Sequence, residues 1–154
     1  MAIKLVKVLN KFDISSRDKR ELSIAEQLGM DVLVLGVGTR HFMYSDTIEV
    51  KETLTVKRYR SRILNHALSY GKRMVEIRRA PADILSCHDL INLSMGYLAT
   101  LFRSSKPKLI YDAHEFEIGR ATGGRRGKLG TWCVARLERF LMRRCAFTIV
   151  VNDS

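Results

Sequence analysis

Two short apolar runs decide the fold of this chain: ADILSCHD at residues 82–89 and KLIYDAHE at residues 108–115. Each run is too short for a buried helix and is followed by turn or helix signals, a pattern typical of a buried parallel strand. Each run ends in a histidine followed by an acidic residue. In an open α/β sheet the ligand crevice lies beyond the carboxyl ends of the strands. The two pairs therefore fall where such a fold binds ligands, although polar residues that merely cap two strand ends would give the same pattern.

Strands and helices alternate along the rest of the chain. Further strands are predicted over residues 3–9, 31–36 and 147–151, with another around residues 53–56. Helices are predicted between them, the first from the capping residues at 15–18 to Gly29, the second ending before Pro81, the third around residues 93–102 and the last around residues 129–141. This alternation predicts an α/β fold with a doubly wound, mostly parallel Rossmann-like sheet and helices on both faces. We interpret residues 1–154 as a single domain.

Length and composition exclude several classes of protein. A chain of 154 residues with 46% hydrophobic and 28% charged residues buries a real core and is not disordered. No apolar run approaches the ~18–20 residues needed to cross a bilayer, and no signal-peptide stretch begins the chain. The three cysteines, Cys87, Cys133 and Cys145, have no CxxC spacing, which favours reduced thiols in the cytoplasm over a disulfide frame or a zinc site.

The positive charge of the chain is concentrated in two segments. The net charge is +11, and residues 57–79 and 120–144 each hold eight Lys or Arg residues and one acidic residue. Such clustering attracts a polyanion or the anionic inner face of a membrane, although a basic face that only keeps the protein in solution is the alternative. The residues predicted to contact an anionic surface are Arg125, Arg126, Lys128, Arg136, Arg139 and Arg143. We expect peripheral, salt-sensitive binding, with the apolar residues Trp132, Leu137 and Phe140 of the last helix in the core.

Several common site motifs are missing. The chain contains neither the GxxxxGK[ST] of a P-loop nor the GxSxG of a hydrolase nucleophile elbow, and a potential GxGxxG is interrupted at His41. His88, Asp89, His114 and Glu115 are metal-ligating residue types, but two His-acid pairs on separate loops do not have a recognised zinc spacing. We therefore predict no metal.

The two His-acid runs resemble the N-terminal domain of GT-B-fold glycosyltransferases, in particular the retaining family-4 class that uses nucleotide-sugar donors. Three other stretches are similar to that family: the helix over residues 17–29, the basic helix that carries Trp132, and the strand and loop at residues 148–154. The resemblance extends over nearly the whole chain.

The resemblance implies the acceptor-side domain of an enzyme that moves a sugar from a nucleotide diphosphate to a hydroxyl, on a lipid-linked acceptor or a growing glycan, without a further cofactor. It implies His114 as the catalytic contact to the transferred sugar, with His88, Asp89 and Glu115 on the acceptor side. In this family the donor lies largely in a C-terminal domain, so we expect residues 1–154 alone to be inactive without that domain or a partner chain. Asp112 is expected to bond backbone amides at its strand end.

A different class of function stays open. The basic segments also fit a non-catalytic binding module for nucleic acid or an acidic surface. No RNA-reading motif is present, however, and the aromatic residues, 8% of the chain, are not interleaved with the basic runs as base-stacking platforms would be. A third hypothesis is that the chain is a nonfunctional remnant of a longer gene.

Overall fold

A computed structural model describes residues 2–9, 16–36, 48–52, 61–101, 103–113 and 128–150. The strands are β1 (Lys4–Val8), β2 (Asp31–Gly36), β3 (Ile48–Glu52), β4 (Ile84–His88), β5 (Lys108–Ala113) and β6 (Phe147–Val150). The helices in these ranges are α1 (Ser16–Gln27), α2 (Arg62–Arg79), α3 (Asp89–Thr100) and α4 (Lys128–Met142). None of these helices is long and apolar enough to cross a membrane.

The strands form one sheet in the order β3-β2-β1-β4-β5-β6, and every neighbouring pair is parallel. The direction in which the chain adds strands reverses between β1 and β4. This is the topological switch point, where doubly wound sheets form their ligand crevice. The predicted Rossmann-like, doubly wound α/β fold is confirmed, and the sheet is entirely parallel in the described residues.

A separate hydrophobic core lies on each face of the sheet. On one face Leu22 of α1 packs with Leu5 of β1. On the other face α2, α3 and α4 contribute Ile77, Leu93 and Leu141 to a larger core. Burial on both faces explains why the central strands are nearly continuous apolar runs.

Two predicted boundaries illustrate local rules. As predicted, Gly29 terminates helix α1: it lies just beyond Gln27, and its φ of +66° lets the Met30 N–H reach the Ala25 carbonyl at 3.0 Å in a Schellman motif. A strand that the sequence did not predict, β3, spans Ile48–Glu52, and the strand predicted around residues 53–56 lies outside the described ranges. The register of β3 places Ile48 and Val50 beside Val32 and Val34 of β2.

The last helix packs differently from the prediction. Trp132, Leu137 and Phe140 were expected in the core, but their exposed fractions are 58%, 44% and 41%. The buried side of α4 instead carries Leu141 and the carboxylate of Glu138. Glu138 is buried because it accepts a hydrogen bond of 2.7 Å from the equally buried Tyr111 hydroxyl of β5.

Candidate functional site

His88 and Asp89 lie at a sharp turn beside the switch point. His88 ends β4 and is the N-cap of α3, and Asp89 begins that helix with a positive φ of 66°. Two bonds from Asn92 hold the turn: its side-chain amide donates to the His88 carbonyl at 2.5 Å, and its backbone N–H donates to Asp89 Oδ1 at 3.3 Å. The turn therefore presents both predicted residues at the carboxyl edge of the sheet.

A fully buried lysine lies next to this turn. Lys7 is the next-to-last residue of β1, and its register partner in β4 is Ser86. The Lys7 ammonium is 2.9 Å from Asp18 Oδ1 and 3.6 Å from Asp112 Oδ2, and it also contacts Glu21. Burial by itself lowers the pKa of Lys7, but the attraction of Glu21 and Asp18 outweighs it and raises the pKa above the ordinary 10.5. Lys7 is therefore a cation at neutral pH.

Helix α1 supplies three of the other charges of this cluster, and β5 supplies Asp112. Arg17, Asp18 and Glu21 occupy its first two turns, and Arg17 Nη2 is 2.6 Å from Asp112 Oδ1. We call Lys7, Arg17, Asp18, Glu21 and Asp112 the ion cluster. It contains two cations and three carboxylates. Two side-chain cations from β1 and α1 lie against the Asp112 carboxylate, and the prediction that backbone amides bond this carboxylate stays a prediction.

The imidazole of His88 borders the ion cluster. Its Nδ1 is 3.7 Å from Asp18 Oδ1 and 3.9 Å from Asp112 Oδ2, distances beyond an ordinary hydrogen bond. In the ion cluster and His88 together, three side chains reach the surface: Arg17 is 25% exposed, Glu21 22% and His88 20%. The other three, Lys7, Asp18 and Asp112, are buried. A ligand at this edge would therefore meet a guanidinium, a carboxylate and an imidazole. The buried charged side chains of Lys7, Asp18 and Asp112 lie beneath these three groups.

The same atoms satisfy the basic geometry of a metal site. One ligand atom each from Asp18, His88 and Asp112 lie within 4.8 Å of one another. However, the Lys7 ammonium lies against two of these groups and supplies the positive charge that the carboxylates require. A divalent ion would be placed directly beside that ammonium, at a high electrostatic cost in a buried site. The donor set therefore does not fit a resident metal ion.

Arg73 of α2 is a second buried cation, whose charge interacts with Asp89 at the start of α3. Arg73 is 3% exposed, and among the described residues its Nε and Nη2 atoms have no hydrogen-bond partner. Burial lowers the pKa of Arg73 and raises the pKa of Asp89, and the mutual attraction of the two side chains opposes both shifts. The start of α3 thus lies in a strongly polar, poorly solvated environment.

Sequence reasoning missed the ion cluster and Arg73, although one signal was present. Lys7 interrupts an apolar strand and Asp112 interrupts another. Because a buried charge requires a partner, a cation and an anion in two strands covered on both faces predict a contact between them.

Several predicted site residues cannot be placed. Those outside the described ranges are His114, Glu115, Arg125 and Arg126. Lys128 is the first residue of α4, and its side chain is outside the described part. Arg136, Arg139 and Arg143 are exposed along α4 and its end, remote in the fold from the ion cluster on the α1 face. The structure thus places the side chains of three of the six predicted surface residues along α4 and its end and, separately, two of the three predicted acceptor-side residues, His88 and Asp89, at the sheet edge.

Comparisons with protein-family models and with curated protein sequences find no match for this chain. The class that the fold itself defines is a Rossmann-like α/β domain with a polar site at its switch point.

Proposed function

We propose that this chain is the acceptor-side domain of a GT-B-type glycosyltransferase, which moves a sugar from a nucleotide-diphosphate donor to a hydroxyl acceptor. One observation carries the proposal: Arg17, Glu21 and His88 are partly exposed together at the carboxyl edge of the strands that flank the switch point. Ligand binding in doubly wound sheets is concentrated at this position.

The hydrogen-bonding types of these side chains suit a sugar. An imidazole both donates and accepts, a carboxylate accepts from adjacent hydroxyls, and a guanidinium donates to hydroxyl or phosphate oxygens. The buried part of the ion cluster fixes their positions, because Lys7 and Asp112 each contact α1 from the sheet. A supported polar site holds a ligand more firmly than side chains on a free loop.

In the proposed reaction basic groups and helix dipoles, with no required metal, stabilise the leaving diphosphate. His114 and Glu115, outside the described residues, keep their proposed roles through the family resemblance, and His88 with Asp89 lies on the acceptor side. In the assembled enzyme His114→Ala is expected to lower turnover by about 10²-fold. The free state of all three cysteines suits a reducing compartment, so we place the reaction in the cytoplasm.

Acceptor binding by the full chain tests this proposal directly. Saturation-transfer NMR with methyl glycosides of glucose, galactose, mannose and N-acetylglucosamine is expected to find at least one bound sugar. His88→Ala should weaken that binding about tenfold or more, the usual cost of losing a hydrogen bond to a polar ligand group.

His66→Ala is the matched control, because His66 is exposed on α2 and its ring stacks only on Tyr70 among the described ring contacts. This variant should bind like the unmodified chain. Binding of no glycoside, or equal effects of the two substitutions, would contradict the proposal.

A further inference from the structure

Helix α4 carries a continuous stripe of arginine and aromatic side chains on its exposed side. Trp132, Arg136, Arg139 and Arg143 follow one another at intervals of three or four residues, which places them on one helix face. With Phe140, Arg144 and an alanine they line a groove of about 470 Å³. No acidic residue lines this groove in the described part of the chain.

Repulsion among the arginines of this stripe lowers the stability of the helix. Like charges at this spacing repel each other on a helix surface. The negative end of the helix dipole accounts for Arg143, and Arg144 is held by its bonds to the Tyr97 hydroxyl at 3.1 Å and the Phe140 carbonyl at 2.9 Å. Arg139 lies in the last turn of α4, where the helix dipole also favours it, whereas Arg136 lies one turn earlier and gains nothing from the dipole. An anionic partner on this face would relieve the repulsion among Arg136, Arg139 and Arg143.

Apolar side chains continue the stripe toward the start of the helix. Trp132 is 58% exposed and Leu129 is 75% exposed, and the Arg136 guanidinium lies 5.5 Å above the Trp132 ring. An exposed tryptophan beside arginines is typical of a helix that lies in a membrane interface, with its ring at the headgroup level. A purely electrostatic partner would not require the exposed Trp132 and Leu129.

We propose that this face of α4 docks on an anionic phospholipid bilayer. Arg136, Arg139 and Arg143 contact lipid phosphates, while Trp132 and Leu129 enter the interface. The sequence predicted a purely electrostatic contact with the apolar residues in the core, and the exposure of Trp132 changes the expected mode of binding. This inference does not depend on the proposed sugar transfer, and its failure would leave that proposal intact.

The fluorescence of Trp132 tests the inference, because it is the only tryptophan in the chain. Equimolar phosphatidylcholine–phosphatidylglycerol vesicles should shift its emission to the blue, and brominated lipids should quench it. Vesicles of phosphatidylcholine alone should produce neither effect. High salt should weaken the binding, because the Debye length falls from ~10 Å at 0.1 M to ~3 Å at 1 M.

The decisive variant is Arg136→Gln with Arg139→Gln, which should weaken partitioning about thirtyfold. The matched control is Arg78→Gln with Arg79→Gln, since these two arginines are exposed on α2 and their loss lowers the net charge equally. Circular dichroism verifies that both variants fold.

Equal weakening by the two pairs would show attraction by net charge alone and would overturn the proposal. Binding without a Trp132 shift or quenching would also overturn it. A saturating Trp132 response to polyglutamate with no response to anionic vesicles would replace the membrane with an acidic protein partner.

Discussion

Replacement of Lys7 by methionine is the most direct perturbation of the ion cluster. Methionine preserves most of the length of the buried side chain and removes only the ammonium. The remaining cluster would contain three carboxylates, from Asp18, Glu21 and Asp112, and one cation, Arg17. Two of these carboxylates are buried, so water cannot replace the missing charge.

The expected loss follows from this geometry. Breaking a buried ion pair by removing one partner costs about 3–5 kcal/mol, because an uncompensated charge stays in the interior. For a domain of this size that corresponds to a drop of roughly 6–20 °C in the melting temperature. Lys7→Met should therefore be among the most destabilising single substitutions in this chain.

Urea unfolding followed by circular dichroism measures the loss, and Lys4→Met is the matched control. Lys4 begins the same strand with a side chain that is only partly buried, so its substitution should change the free energy of unfolding by less than about 0.5 kcal/mol. Adding Asp18→Asn to Lys7→Met removes one excess charge. The double variant should therefore be destabilised less than the sum of the single variants.

The contribution of Lys7 to the free energy of unfolding depends on pH in a predictable direction. The pKa of Lys7 is raised in the folded protein, so its stabilisation is complete below the unfolded value of 10.5 and is lost as the pH rises through the folded value. The difference between the original chain and Lys7→Met should thus be constant from about pH 7.5 to 9 and shrink only in strong alkali. A difference below about 1 kcal/mol at neutral pH, or an equal cost for Lys4→Met, would refute the reasoning, since a buried pair broken on one side costs several times more.

Two further predictions concern packing. A methyl group on Gly96 would lie 2.8 Å from Cys87 Sγ, so Gly96→Ala should destabilise the fold by about 1–3 kcal/mol. A methyl group on Gly71 would meet nothing within 4 Å, so Gly71→Ala should stabilise α2 by up to about 1 kcal/mol. Urea unfolding measures both, and shifts of the same sign would contradict the α3–β4 packing. The second prediction concerns thiol labelling followed by mass spectrometry, in which the exposed Cys133 should react first. Cys145 should react more slowly, because burial raises its pKa to about 11. Cys87 should react only on unfolding, because complete burial raises its pKa further. Labelling of Cys87 at the rate of Cys133 would show that β4 is not buried.

Local chemistry was sufficient to predict most of the elements. The apolar runs at β4 and β5 were readable because strands covered on both faces need no polar residues except at their ends. Pro81 marked the end of α2, and Ala80 before it has an extended backbone, as the proline ring demands. The position of His88 at the carboxyl edge followed from the same run. These features depend on near neighbours in the chain, and a single sequence therefore contains them.

Long-range pairing decided the rest. Lys7, Asp18 and Asp112 come from three different elements, and the charges that interrupt β1 and β5 show that partners are needed but not that Asp18 is one of them. Helix α4 shows the same limit: its periodicity indicates an apolar face, but only the packing of α4 against β5 decides that Glu138 and Leu141 are buried while Trp132 stays exposed. The sequence alone determined the order and type of the elements, because these follow from local periodicity and turn residues. The tertiary structure decided which charges are paired and which helix face is left uncovered, because burial is a property of the assembled layers.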